Sequence, residues 1–193
     1  MITLISPDNF KTIPWKNGLG FTTELAINDG ATLDDFDWRL SIASVANDGE
    51  FSNFSGYERN LVLIEGNGIT LEHYEHHTDK LTQLLDIAKF DGAYKTTGLL
   101  HNGAIKDFNV ITKQNSTSVE VNSYTTMQQV AVPLQKSCVI FAYSLTDTTT
   151  IESLASQVIL EQGSLAKVTA TEQEGMVTIS GKNLIITTIT LKQ

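Results

Sequence analysis

Asp37-Trp38-Arg39-Leu40-Ser41-Ile42-Ala43-Ser44-Val45-Ala46 alternates large apolar side chains with polar or small ones. In an extended strand successive side chains point to opposite faces, so this period of two puts Arg39, Ser41 and Ala43 on one side and Trp38, Leu40 and Ile42 on the other. A helix would need apolar residues at three- and four-residue spacing, which this run lacks. Working outward, comparable runs bounded by Gly, Asn, Asp or Ser occur at 22–27, 60–65, 68–74, 106–112, 117–124, 128–132, 137–145, 164–170, 174–180 and 183–191. Threonine occurs 24 times, often beside Val, Ile, Tyr or Phe, an enrichment that favours strands. Short strands at this spacing predict an all-β sandwich or barrel.

Two segments compete with that reading. Thr149 and Glu152 have the spacing of a helical capping box, which predicts a short helix over 149–157. Leu81, Leu84, Leu85 and Ala88 fall at helical spacing before Phe90-Asp91-Gly92, which allows one or two helical turns or an irregular extended stretch over 81–89. Gln114-Asn115-Ser116-Thr117-Ser118 is the most linker-like stretch and divides the chain into 1–113 and 114–193. A pair of fused β-barrels fits those lengths, although neither half shows a countable sequence repeat of the other.

The 193 residues are 41% hydrophobic and 18% charged, too apolar for a disordered chain. The net charge of −9 argues against a phosphate-backbone footprint, so nucleic acid is not an expected partner. A single cysteine, Cys138, excludes an internal disulfide and, within Ser137-Cys138-Val139-Ile140-Phe141, reads as core packing. The first residues lack a basic and then apolar leader, and no apolar run approaches the ~18 residues of a membrane span. A cytoplasmic location without membrane contact is the expectation.

Candidate chemistry concentrates in the first half. Arg39 and Arg59 are the chain's two arginines beside 11 lysines, and a guanidinium offers a rigid fork of donors suited to a carboxylate. Arg39 and Ser41 either point into a barrel mouth or face solvent. Arg59 begins a row with Leu61, Leu63 and Glu65, and either binds an anion or pairs with Glu58 or another acid. Asp107 and Asn109 share a strand face and suit the holding of an arginine. Glu72-His73-Tyr74-Glu75-His76-His77 has ligand types that suit zinc, iron or nickel, but runs into a polar turn where imidazoles are usually solvated, so no metal is expected there. Gly18-Leu19-Gly20 lacks the spacing of a phosphate loop, and no nucleophile is assigned.

The ordered motifs Pro14-Trp15-Lys16-Asn17-Gly18-Leu19-Gly20 through Thr22 and Glu24, Trp38 to Ala43, Phe51-Ser52-Asn53-Phe54-Ser55-Gly56 through Arg59, and Asp107-Phe108-Asn109 resemble the HutD/Ves family. Leu63 to Gly68 and Phe90-Asp91-Gly92 fit as well, and the likeness covers about residues 10 to 113. The departures are Leu19 in place of a glycine, Ser55 in place of a proline, and Val110 with Lys113 in place of Met and Arg.

The resemblance implies a bicupin, two antiparallel jelly-roll barrels in one chain, associated with histidine utilisation and without an established catalytic activity. Because both arginines fall inside these motifs, the expected site lies in the N-terminal barrel, with Arg59 as principal anion contact among Trp15, Lys16, Asn17, Glu24, Arg39, Ser41, Asp107 and Asn109, for a small anionic metabolite such as an intermediate of histidine degradation, a pathway the protein would modulate. Cupin enzymes hold metal through His-x-His with a later Glu and His; this chain has no His-x-His, in keeping with neither metal nor other cofactor. The alternatives are a metal-independent isomerase or hydrolase with Glu24 or Asp107 as general base, and a protein–protein interaction module. A homo-oligomer is left open.

Overall fold

The structure, a computed structural model, describes residues 1–15, 20–154, 156–170 and 174–192. Among these, the helical element is a single 3-10 turn, Pro7–Asn9. The strands are β1 (Ile2–Ile5), β2 (Lys11–Pro14), β3 (Gly20–Ile27), β4 (Trp38–Val45), β5 (Gly49–Glu50), β6 (Tyr57–Glu65), β7 (Ile69–His73), β8 (Thr78–Leu81), β9 (Ile87–Asp91), β10 (Thr96–Leu100), β11 (Ile105–Lys113), β12 (Thr117–Tyr124), β13 (Gln128–Leu134), β14 (Cys138–Ser144), β15 (Thr149–Ser153), β16 (Ser156–Leu160), β17 (Leu165–Thr169), β18 (Gly175–Gly181) and β19 (Leu184–Leu191).

Phe10–Asn115 form one compact unit, and Met1–Asn9 with Ser116–Gln193 form the other. The first unit has sheets β2-β3-β4-β11-β6-β9 and β5-β10-β7-β8; the second has β1-β17-β14-β19-β12 and β13-β18-β15-β16. Adding eight to each strand number of β4-β11-β6-β9 and β5-β10-β7-β8 reproduces β12-β19-β14-β17 and β13-β18-β15-β16. The same eight-strand antiparallel jelly roll therefore occurs twice, the all-β, bicupin-type architecture expected, and the duplication shows in topology where the residues show no repeat.

Each jelly roll closes a core between its two sheets. In the first unit Leu61 and Leu63 of β6, Ile69 and Leu71 of β7, Leu81 and Phe90 pack together, with Trp15, Phe51 and Tyr94 at the margin. In the second, Ile140 and Ala142 of β14 and Ile186 of β19 face Val177 and Ile179 of β18 and Ile151 of β15. A fully buried Leu or Ile of this kind contributes about 1.5–3 kcal/mol through area removed from water.

One expectation is corrected, one open alternative is decided, and one unit boundary is placed differently. Residues 149–157 are not helical: β15 and β16 form a hairpin paired from Thr149↔Leu160 to Ser153↔Ser156, and β15 also pairs with β18, burying Ile151 completely. Residues 81–89 comprise the end of β8, a turn and the start of β9. Asp86 Oδ2 accepts from the Thr82 and Gln83 amides at 2.8 Å each, and Leu85 takes a φ of 70°, which ends any helix. The first unit begins at Phe10 rather than at residue 1, because β1 pairs with β17, Ile2 opposite Val168.

The β6–β7 turn depends on Gly68, whose φ is 127° and where an added Cβ would lie 2.6 Å from the Leu81 carbonyl oxygen. Gly68→Ala is expected to destabilise the protein by about 1–3 kcal/mol, read as a shift of the urea midpoint. An unchanged midpoint would mean that the turn relaxes at no cost.

Candidate functional site

Pleating decides which polar side chains meet. Three successive ranks cross the six-stranded sheet on the face that packs into the core. Ile27, Arg39, Ile111, Arg59 and Phe90 form one; Glu24, Ser41, Asn109, Leu61 and Ala88 the next; Thr22, Ala43, Asp107 and Leu63 the third. Glu24, Arg39, Ser41, Arg59, Asp107 and Asn109 thus share one face from four different strands. Ser41 is 2% exposed, so the Arg39 and Ser41 face is the interior and not the solvent side. Trp15 instead donates its indole N–H to Thr22 Oγ1 at 2.8 Å and packs against the apolar core. Lys16 and Asn17 lie outside the described residues.

The two arginines are in different electrostatic states. Arg39 Nε donates to Glu24 Oε2 at 2.8 Å, a mostly buried ion pair with both side chains under 20% exposed. Arg59 is buried and, among the described residues, has no carboxylate in hydrogen-bond contact. Its Nη2 donates to Asn109 Oδ1 at 3.0 Å and its Nη1 makes a long 3.4 Å contact to the Ser52 carbonyl oxygen, while Nε–H has no partner. The guanidinium carbon lies 5.3, 5.4 and 5.2 Å from the ring centroids of Phe51, Phe54 and Phe90, a cage that suits a desolvated cation.

Asn109 links Arg59 to Asp107. A guanidinium only donates, so the amide must turn its oxygen to Arg59, which aims Nδ2 at Asp107 Oδ1. Asp107 Oδ2 is buried without a partner. Burial raises the Asp107 carboxyl from 3.8 to about 7, opposed by the nearby Arg59 charge and the Asn109 hydrogen bond. Burial likewise lowers Arg59 to about 10, opposed by Asp107, so the guanidinium is still a cation at neutral pH. The result is an enclosed positive charge beside a carboxyl poised near neutrality, with one donor and one oxygen unused.

Glu24 serves Arg39 rather than open space. Glu24→Gln keeps a hydrogen-bond acceptor but removes the charge, and is expected to cost about 1–2 kcal/mol of stability in thermal or urea unfolding. Full wild-type stability would show that the pair contributes nothing.

Sequence reasoning missed the three phenylalanines as site residues. Phe51, Phe54 and Phe90 stand inside the family motifs, yet each reads as ordinary core until Arg59 is placed among them. It also placed the histidine cluster in a solvated turn, whereas His73 ends β7 and is 3% exposed. An open cleft of about 340 Å³, lined by residues including Gly20, Ser44, Val45, Ile105 and Lys106, lies at the opposite end of the sheet, six residues or roughly 20 Å along β4 from Arg39.

The HutD family description matches residues 7–186. The chain belongs to the HutD family. Among curated proteins it is similar to an uncharacterised 21.2 kDa protein in the hutC 3′ region of Pseudomonas putida, 37% identical over 110 residues that cover 57% of each chain. It is also similar to Protein Ves of Escherichia fergusonii, 42% identical over 108 residues, 55% of this chain and 56% of that one. The matched stretch therefore spans little more than half the length of either relative. HutD from Pseudomonas fluorescens SBW25 shares the fold over 100% of both chains, with a TM-score of 0.85 at 24% identity. Among the described residues no helix is long and apolar enough to cross a membrane.

Proposed function

We propose that this HutD-family chain binds a small carboxylate at Arg59 and thereby modulates histidine degradation. The observation that carries the reading is the buried Arg59 guanidinium whose Nε–H has no partner. Leaving such a donor unsatisfied costs about 1–3 kcal/mol, and a carboxylate oxygen would recover it through a charge-assisted hydrogen bond. Asp107 Oδ2, protonated near neutrality, supplies a second contact to the same ligand, with Asn109 holding both groups in place. The three-ring cage and the 5% exposure of Arg59 select for a ligand with a slim anionic end.

Two similar proteins support the class of ligand and pathway. The P. putida relative is placed in a hutC 3′ region, and the P. fluorescens HutD structure is described in a formate condition. Calorimetric titration of formate, urocanate and N-formylglutamate into the full chain tests the reading. Saturable one-to-one binding of at least one is expected; no binding of any overturns it.

One observation favours an enzymatic second reading. A carboxyl near pH 7 has the affinity for protons that a general acid–base residue needs, so Asp107, rather than the ion-paired Glu24, is the group to test. Following the bound compound by NMR separates the two: a binder returns it unchanged, an enzyme converts it.

A further inference from the structure

We infer that His73, His77 and Asp79 form a binding site for one divalent transition-metal ion of the zinc, cobalt or nickel type. The inference is independent of the carboxylate reading. The set lies on the β7–β8 hairpin and differs from the His-x-His with later Glu and His by which cupin enzymes hold metal.

The hairpin brings the three together. Asp79 pairs across from Leu71, so its side chain lies on the same inward face as those of Leu71 and His73. The turn between the strands is tight: the His73 amide donates to the His77 carbonyl at 3.0 Å, the His76 amide to the His73 carbonyl at 2.9 Å, and Glu75 takes a φ of 61°. His76 is occupied elsewhere, stacked on Tyr94 with centroids 3.8 Å apart. His77 is thereby folded back over His73.

The two distances to the carboxylate match a coordination sphere. Asp79 Oδ2 lies 3.1 Å from His73 Nε2 and 3.2 Å from His77 Nε2, and the three ligand atoms all fall within 4.8 Å of one another. Ligands 2.0–2.1 Å from one metal ion are separated by roughly 2.9–3.4 Å, from octahedral to tetrahedral geometry. Two imidazole nitrogens with one carboxylate oxygen are donors for a borderline-soft ion and not for calcium or magnesium.

Proton accounting points the same way. Thr96 Oγ1 donates to the Tyr94 carbonyl at 3.3 Å, so its lone pair is left to accept from His73 Nδ1–H at 2.8 Å. With Nδ1 carrying the proton, a neutral His73 turns the bare Nε2 lone pair toward the Asp79 carboxylate. The His73 ring is held in this orientation by packing on Phe90, with ring centroids 4.5 Å apart. A cation between the two acceptors resolves the contact. Thr96 then plays the part that outer hydrogen-bond partners play at metal sites, fixing the tautomer and the ring plane. His77, 48% exposed, and Asp79, 29% exposed, leave the remaining coordination positions open to water or a small ligand.

The test is a titration of chelator-washed, untagged full chain with Zn²⁺ by calorimetry and with Co²⁺ by visible absorption. One equivalent per chain is expected, with Co²⁺ developing the ligand-field bands of a nitrogen- and oxygen-bound ion. Because His73 is buried and its replacement risks the fold, the decisive variants are the more exposed His77→Ala and Asp79→Ala. Each is expected to lower affinity by at least about tenfold, while His76→Ala leaves it unchanged. Thr96→Val should also weaken binding, with the fold checked by circular dichroism. Absence of saturable binding, or binding within about threefold of wild type in either His77→Ala or Asp79→Ala, overturns the inference and leaves a buried His73–Asp79 pair as the whole explanation.

Discussion

Arg59→Ala is expected to weaken carboxylate binding by about 2–5 kcal/mol, roughly 30-fold to several thousand-fold in Kd, because it removes a buried cation that, among the described residues, has no carboxylate in hydrogen-bond contact. Arg59→Lys keeps the charge but loses the planar fork, and should fall between the two. The ammonium cannot hold Asn109 and the ligand in one plane, nor spread its charge over Phe51, Phe54 and Phe90. Calorimetry of formate and urocanate against all three proteins checks the order. Equal affinity in wild type and Arg59→Ala would remove Arg59 from the site. Arg59 also restrains the proton affinity of Asp107, so the alanine variant should hold that proton to still higher pH.

Asp107 sets the second large effect, on pH dependence. Its carboxyl is raised from 3.8 in the free chain to about 7 in the fold, so between those values the native state binds more protons than the unfolded state. Its contribution to stability is therefore fully present below about pH 4 and is lost as pH rises through about 7, a swing of a few kcal/mol. Asn cannot ionise, so Asp107→Asn should flatten this slope and gain most over wild type near pH 8. Urea unfolding of both proteins at about pH 4 and pH 8 measures the difference. Ligand affinity should follow the same curve, since an ionised Asp107 repels an incoming anion and competes for Arg59. Parallel stability profiles in the two proteins would mean that Asp107 is not held protonated by the fold.

Legibility in the sequence tracked how much of each element's burial was visible locally. β4, β6, β11, β14 and β19 announce themselves because each pairs on two sides and carries a long apolar run, alternating in β4 and continuous in β6 and β14. The β15–β16 hairpin does not, because Thr149 and Glu152 satisfy a helical spacing by coincidence and pairing of Ile151 with Ile179 of β18 overrides it. Leu81, Leu85 and Ala88 are all buried, at 1, 3 and 1%, but on two strands and the turn between them, a pattern that mimics a helical stripe. Within the site, Arg59, Asp107 and Asn109 stood out because a charge or amide interrupts an apolar face. Phe51, Phe54 and Phe90 could not, since an aromatic residue beside a cation and one beside a leucine look alike in one dimension. The second unit shows the contrast: where Asp107 lies across from Leu63, the counterpart strands set Ile186 across from Ala142.

The placement of β1 bears on the order in which a ribosome could complete this protein. All of β2 to β11 find their partners between residues 10 and 115, so the unit holding Arg59 has every strand in hand once that segment has emerged. Ile2 to Ile5, made before that segment, pair with Leu165 to Val168, made after it. That strand thus waits while the whole Arg59 unit is made, and its unpaired edge stays open to other partners in the meantime. Cutting the chain after Asn115 to isolate the first unit would carry β1 along as an orphan, whereas a fragment of residues 10–115 leaves no strand behind and takes none that it cannot use.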